Sequence, residues 1–270
     1  MLAVYIALSS AVILVVLFLF LIFPSVRRHP DREDLKGRYI AHRGLHGLEK
    51  GKPENSLAAF REAAELGFAI EIDIHLTRDG FVVVFHDDTL NRVCGVDGQV
   101  EGKTLAELKN LTLFDTEQKI PTLQECLDVV DGKVPLLIEF KCTGVRCREL
   151  CEAADKILSK YKGKYYIQSF YPTVLRWYRF NRKEVMRGQL ATRFKGEVLT
   201  RQLSGALLFS FLGRPDFVSY EHRFKSNAFR KISLWLGAMP VGWTFWSQAN
   251  LNRDKDGFEA YIFEGFLPKK

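Results

Sequence analysis

Hydrophobic and polar positions fall into two regimes along the chain. From Leu2 to Phe23 there is no charged residue, and Leu, Val, Ile and Phe dominate up to Pro24. About 20 apolar residues suffice to cross a bilayer as a helix, so this run predicts a transmembrane anchor over residues 1–24. A cleaved signal peptide is disfavoured: no Lys or Arg precedes the run, no small-x-small site follows it, and it exceeds the usual apolar core of about 7–15 residues. Residues 25–37 are polar and charged and read as a linker.

From residue 38 to residue 270 the pattern changes to short apolar runs alternating with amphipathic stretches. Strands are predicted at Tyr39–His42, Ala69–His75, Phe81–Phe85, Val134–Phe140, Tyr165–Ser169, Val185–Leu190, Phe217–Tyr220, Val241–Phe245 and Ala260–Phe263. Helices are predicted at Asn55–Leu66, with Asn55 as N-cap and Gly67 as stop, and at Thr104–Lys109, Thr122–Val130, Arg146–Tyr161 and Thr173–Asn181. Asp79-Gly80 signals a tight hairpin between the second and third strands. Continuously apolar strands alternating with helices predict a parallel sheet covered on both faces, hence an α/β protein with a closed (β/α) barrel. Nine strand candidates compete for eight barrel positions; either the hairpin strand or the last run is surplus.

Composition adds limits. The chain has 270 residues, 47% of them hydrophobic and 26% charged, which excludes a disordered or fully membrane-embedded protein and suits one barrel of about 250 residues. The net charge of +7 favours anionic partners. There is no basic stripe with interleaved aromatics, so no nucleic-acid partner is expected. Arg27, Arg28 and Arg32 follow the apolar run, with His29 between them. Positive charge collects on the cytoplasmic side, so a single-pass cell-membrane protein with a cytoplasmic barrel is expected. Five scattered cysteines, Cys94, Cys126, Cys142, Cys147 and Cys151, are expected to be free thiols in a reducing compartment. Cys147 and Cys151 share helical spacing, but without a nearby His they make a poor zinc site.

The chemistry lies where polar residues interrupt apolar strands. In Glu71-Ile72-Asp73-Ile74-His75, period-two alternation puts Glu71, Asp73 and His75 on one face. In a buried strand these cost several kcal/mol unless paired or metal-bound; the bland alternative is an exposed antiparallel edge. Glu139 ends the apolar run Leu136-Leu137-Ile138 and is followed by Lys141, with which it could form a structural ion pair. Three carboxylates on two strands suit a hard divalent cation, Mg²⁺ or Ca²⁺. His42 and His86 end strands and are suited to proton transfer near neutral pH. Arg43 and Lys141 could hold a phosphate.

Ala41-His42-Arg43-Gly44, Pro53-Glu54-Asn55-Ser56, Glu71-Ile72-Asp73 with Thr77-Arg78-Asp79-Gly80, Phe85-His86-Asp87 and Ile138-Glu139-Phe140-Lys141 closely resemble, in order and spacing, the glycerophosphodiester phosphodiesterase family. Gln168-Ser169-Phe170, Pro215-Asp216-Phe217-Val218 and Gly242-Trp243-Thr244 look like its remaining strands. The resemblance runs from about Tyr39 to Trp246. It implies a (β/α)₈ TIM barrel that hydrolyses glycerophosphodiesters to glycerol 3-phosphate and an alcohol. It implies metal ligands at Glu71, Asp73 and Glu139, acid/base histidines at His42 and His86, and substrate contacts at Arg43, Lys141 and Trp243. Glu54 is expected to support the His42 loop, and His75 to be structural. One departure stands out: where the family usually carries a Thr-Asp-like pair on the closing strand, this chain has Phe263-Glu264-Gly265. Two rival readings are a lysophospholipase D-type enzyme acting on membrane lipids, and a catalytically inactive membrane-tethered binding protein.

Overall fold

A computed structural model of the chain describes residues 1–26, 28–47, 51–142, 146–193 and 198–269; Arg27 of the basic cluster lies outside them. The strands are β1 Tyr39–Ala41, β2 Ala69–Leu76, β3 Val82–Val84, β4 Leu136–Phe140, β5 Tyr165–Ser169, β6 Arg187–Ala191, β7 Phe217–Glu221, β8 Met239–Phe245 and β9 Ala260–Phe263. They run in the order β1-β9-β8-β7-β6-β5-β4-β2-β3, and β1 also pairs with β2. Every pairing is parallel except β2 with β3. The sheet therefore closes as an eight-stranded parallel barrel with β3 hanging outside it. The hairpin strand is the surplus one, and the last run closes the barrel.

The helices are α1 Leu2–Ile22, α2 Arg32–Leu35, α3 Leu57–Glu65, α4 Asn91–Cys94, α5 Leu105–Lys109, α6 Leu123–Val130, α7 Cys147–Leu158, α8 Pro172–Asn181, α9 Leu199–Gly205, α10 Ser210–Gly213, α11 Ala228–Trp235 and α12 Gln248–Asp254. Thr104 and Thr122 start α5 and α6 with capping boxes closed by Glu107 and Glu125. Cys147, Leu150, Cys151, Ala154 and Leu158 give α7 its buried stripe. Sequence spacing missed α2, α4 and α9 to α12, which are short.

Alternation divides the strands between two cores. Ile70, Ile72, Ile138, Val218 and Tyr220 pack outward under the helices. Ile40, Ala69, Leu137, Met186, Phe217, Met239, Val241 and Ile262 fill the barrel interior. Gly188 is required there: a Cβ would sit 1.9 Å from the Phe217 ring.

The stretch expected to be a linker packs under the barrel. Leu35 of α2 is fully buried in the inner core, a burial worth about 1.5–3 kcal/mol. Arg32 donates to Gly237 O and Glu259, and the Tyr166 hydroxyl donates to Asp34.

Helix α1 is uncharged and 21 residues long, long and apolar enough to be a membrane span or a signal sequence. Its last turn is docked. Ile22 is buried, Phe20 packs on Phe211 and Phe18 on Phe229. Arg214 donates to the carbonyls of Phe20 and Phe23, supplying the partners that a helix C-terminus lacks.

Candidate active site

The inward positions of β2 and β4 meet at the C-terminal mouth of the barrel. Strand register sets Asp73 beside Glu139. Glu71, Asp73 and Glu139 are buried, and one carboxylate oxygen from each lies within 4.8 Å of the others. Lys141 Nζ stands 2.6 Å from Glu139 Oε1 and 3.2 Å from Asp73 Oδ1. Arg43 Nε is 3.6 Å from Asp73 Oδ2.

The three carboxyls do not share this charge equally. Burial pushes Glu71 well above the ordinary carboxylate range, and the neighbouring Asp73 and Glu139 push it further. Burial also opposes ionisation of Asp73, but Lys141, His86, Arg43 and His42 together outweigh it and hold Asp73 well below its usual value. Burial raises Glu139 against the pull of Lys141. Glu71 Oε1 has no hydrogen-bond partner among the described residues, a cost of about 1–3 kcal/mol for a buried acceptor. A set of three oxygen donors suits a hard divalent cation, which would satisfy that oxygen and offset the repulsion. The residues present fit such an ion.

Two histidines flank the cluster, each with Nδ1 committed to a carboxylate. His42 Nδ1 donates to Glu264 Oε2 at 2.5 Å, and its Nε2 lies 3.9 Å from Glu71 Oε2. His86 Nδ1 donates to Asp87 Oδ1 at 2.6 Å. In both rings this leaves Nε2 as the nitrogen able to exchange protons. Burial lowers His86 from its ordinary value, opposed by Asp73 and assisted by Lys141 and Arg43.

His86 lies, as expected, at the C-terminal end of the third strand. That strand, β3, is antiparallel to β2 and lies outside the barrel. The hairpin rises past the mouth at Asp79-Gly80 and descends again. The amide of Phe85 donates to Asp73 O, so the next residue returns to the level of the carboxylates.

A second layer fixes these groups. Arg43 and Asn55 have positive φ of 55° and 54°, a region sparsely used by residues other than glycine and enriched at functional sites. The Arg43 amide donates to Glu71 Oε2 and the Asn55 amide to Arg43 O. Asn55 Nδ2 donates to Asp73 Oδ2 at 2.9 Å. Asn55 is therefore not the N-cap of α3. Its side chain is spent on Asp73, and Ser56 accepts the Ala59 amide in its place. Glu54 accepts from Arg43 and from both terminal nitrogens of Arg92, which also donates to Asp87. Burial opposes ionisation of Asp87, but Arg92 and His86 bring its carboxyl down to about 2. The roles of Asn55, Asp87 and Arg92 were missed. The Pro-Glu-Asn and His-Asp motifs held the first two; Arg92, the second residue of α4, gave no signal.

Trp243 donates Nε1 to Ser219 O and meets Phe170 edge-on across the mouth. His75, as expected, is structural: it is buried with Nε2 3.3 Å from His86 O. Beside His86, Glu139 and Lys141 opens a cavity of about 680 Å³, walled by Phe170, Tyr171, Pro172 and Phe209. Cys142 on its rim is disulfide-bonded to Cys147, which corrects the expectation of five free thiols. Cys147 turns from Cys151 towards the end of β4, a pairing that helical spacing does not reveal. Cys94, Cys126 and Cys151 are free.

Comparison with known proteins places this geometry. Residues 42–204 match the glycerophosphoryl diester phosphodiesterase family. The chain is 38% identical over 135 residues to a glycerophosphodiester phosphodiesterase of Caldanaerobacter subterraneus subsp. tengcongensis, covering 47% of this chain and 54% of that one. It is 30% identical over 165 residues to the lysophospholipase D GDPD1 of Rattus norvegicus, covering 56% and 50%. The chain thus spans about half the length of these curated relatives. The fold is that of an Oleispira antarctica phosphodiesterase solved in complex with the product sn-glycerol-3-phosphate, with a TM-score of 0.70, 23% identity, and coverage of 86% of this chain and 94% of that one. The match covers more than half of the chain and contains the carboxylate cluster and both histidines: the protein belongs to the glycerophosphoryl diester phosphodiesterase family.

Proposed function

We propose that the protein hydrolyses glycerophosphodiesters to glycerol 3-phosphate and an alcohol. The observation that carries this reading is the buried carboxylate trio set between two histidines whose Nδ1 atoms are each held by a carboxylate. Glu71, Asp73 and Glu139 would hold the divalent cation, Mg²⁺ or Ca²⁺, whose charge polarises the phosphoryl oxygens and eases build-up of negative charge. Arg43 and Lys141 orient the phosphate and neutralise charge as it develops. One of His42 and His86 takes the proton of the nucleophile through Nε2, and the other gives a proton to the departing alkoxide. Two nucleophiles fit: water, or the neighbouring glycerol hydroxyl, which exploits proximity and passes through a cyclic phosphate. The Trp243–Phe170 pair borders the substrate.

A lysophospholipase D-type activity is the second reading. The apolar wall of the cavity beside His86 favours it, as does the name of the rat relative. One assay tests both. Glycerophosphocholine and a lysophospholipid are supplied with and without EDTA, followed by Mg²⁺ or Ca²⁺. Chelator-sensitive release of glycerol 3-phosphate from glycerophosphocholine is expected. Faster turnover of the lysophospholipid would move the assignment to the second reading. No turnover of either would leave the inactive binding protein.

We further propose that residues 1–24 are a single-pass anchor, 25–37 the connection and 38–270 the catalytic unit. With Cys142 and Cys147 bonded, the case for a cytoplasmic barrel rests mainly on the arginines after α1. The full-length protein should remain in the membrane pellet after an alkaline carbonate wash; release into the supernatant would refute the anchor.

A further inference from the structure

The closing-strand departure gains a role from its side-chain partners. Phe263 points outward and packs on Phe68 and Phe266. Glu264, the next residue, points to the mouth, its amide donating to Phe245 O. One carboxylate oxygen, Oε2, accepts from His42 Nδ1 at 2.5 Å. The other, Oε1, lies 3.5 Å from Nε2 of His46, a residue the proposed reaction does not use. All three side chains are nearly buried, between 11% and 13% exposed. Glu264 thus hydrogen-bonds His42 and lies beside His46, the two histidines that flank the Arg43-Gly44 turn.

We propose that Glu264 is a positioning residue for His42, its carboxylate lying between that ring and His46. This rests on the acid/base reading of His42. A histidine is useful in proton transfer only if the right nitrogen faces the substrate, and an acceptor at Nδ1 settles which tautomer is present. Asp87 does the same for His86, but its charge is shared with Arg92. Glu264 forms its ion pairs among the described residues with imidazoles, and Arg43 acts on it only at longer range. The extra methylene of Glu over Asp gives the reach to span both rings.

In the full-length protein, Glu264→Gln should lower kcat about 10- to 100-fold with KM unchanged. It should add no further loss in a His42→Ala background, because the two residues act as one unit. Glu264→Asp, which keeps the charge, should recover part of the lost kcat. Multiplicative losses with His42→Ala, or a kcat for Glu264→Gln within about twofold of wild type, overturn the proposal. Nitrogen-15 NMR of the imidazoles reads the contact without turnover. His42 should be the Nδ1–H tautomer, with a downfield hydrogen-bonded proton that Glu264→Gln moves upfield; a His42 signal indifferent to residue 264 overturns the contact itself. Normal turnover in His42→Ala overturns instead the acid/base assignment beneath it, and the NMR measurement separates the two failures.

Discussion

Glu71→Gln should lower activity by at least about 10³-fold without lowering the stability of the metal-free protein. The first half follows from losing one of three charged oxygen donors, since cation stabilisation of the transition state is worth several kcal/mol and about 1.4 kcal/mol is a factor of ten in rate. The second half follows from the electrostatics of the trio. Glu71 is the carboxyl that burial and its two neighbours push towards the neutral form, and glutamine is a close mimic of a neutral glutamate. Added Mg²⁺ or Ca²⁺ should raise the Tm of the wild type by mass action on the folded state and should do so much less in the variant. Such a site exchanges stability for function. A variant that keeps wild-type kcat, or a wild type whose Tm is indifferent to both cations, would sink the metal assignment.

His42→Ala and His86→Ala should each lower kcat about 10²- to 10⁴-fold, the usual contribution of a positioned acid or base, with small changes in KM. The fold should survive both. Each imidazole hangs on a side-chain carboxylate at the rim, and neither supports the inner core. Asp87 remains bonded to Arg92 when His86 is removed, so no isolated buried charge is created there. Circular dichroism and Tm on the same samples separate lost chemistry from lost structure. Turnover near wild type in either variant would remove that histidine from the mechanism.

Local periodicity made the carboxylates visible and hid most of what holds them. Glu71, Asp73 and His75 could be read from strand alternation alone, because a charged face on a strand of a parallel barrel is costly unless it has a purpose. Glu139 was visible for the same reason. His86 was legible as a strand-end residue, but local periodicity left open whether its strand belongs to the barrel; that strand lies outside it and runs the other way. Asn55 looked like a helix cap because Asn before an apolar stripe usually is one; its bond to Asp73 is tertiary, 18 residues away. The bonds of Arg92 to Glu54 and of Glu264 to His42 span 38 and 222 residues, and nothing in a local window encodes them. Leu35 was read as part of a linker because Arg32 to Leu35 is mostly charged. Its packing partners are strand residues from the whole inner barrel.

The docked last turn of α1 decides how the barrel can move. Thirteen flexible residues between helix and barrel would let the mouth wander over about 20 Å, at the roughly 5–6 Å per square-root residue of a loose chain. Arg214 on the carbonyls of Phe20 and Phe23, with α2 seated beneath the strands, removes that freedom. On the proposed anchor reading, the barrel would be held rigidly to α1 and would not swing from it. With α1 in a membrane, the height and tilt of the mouth would follow from the angle at which α1 leaves the α10 and α11 flank, and changes at Phe18, Phe20 or Arg214 would re-aim the barrel without touching the site.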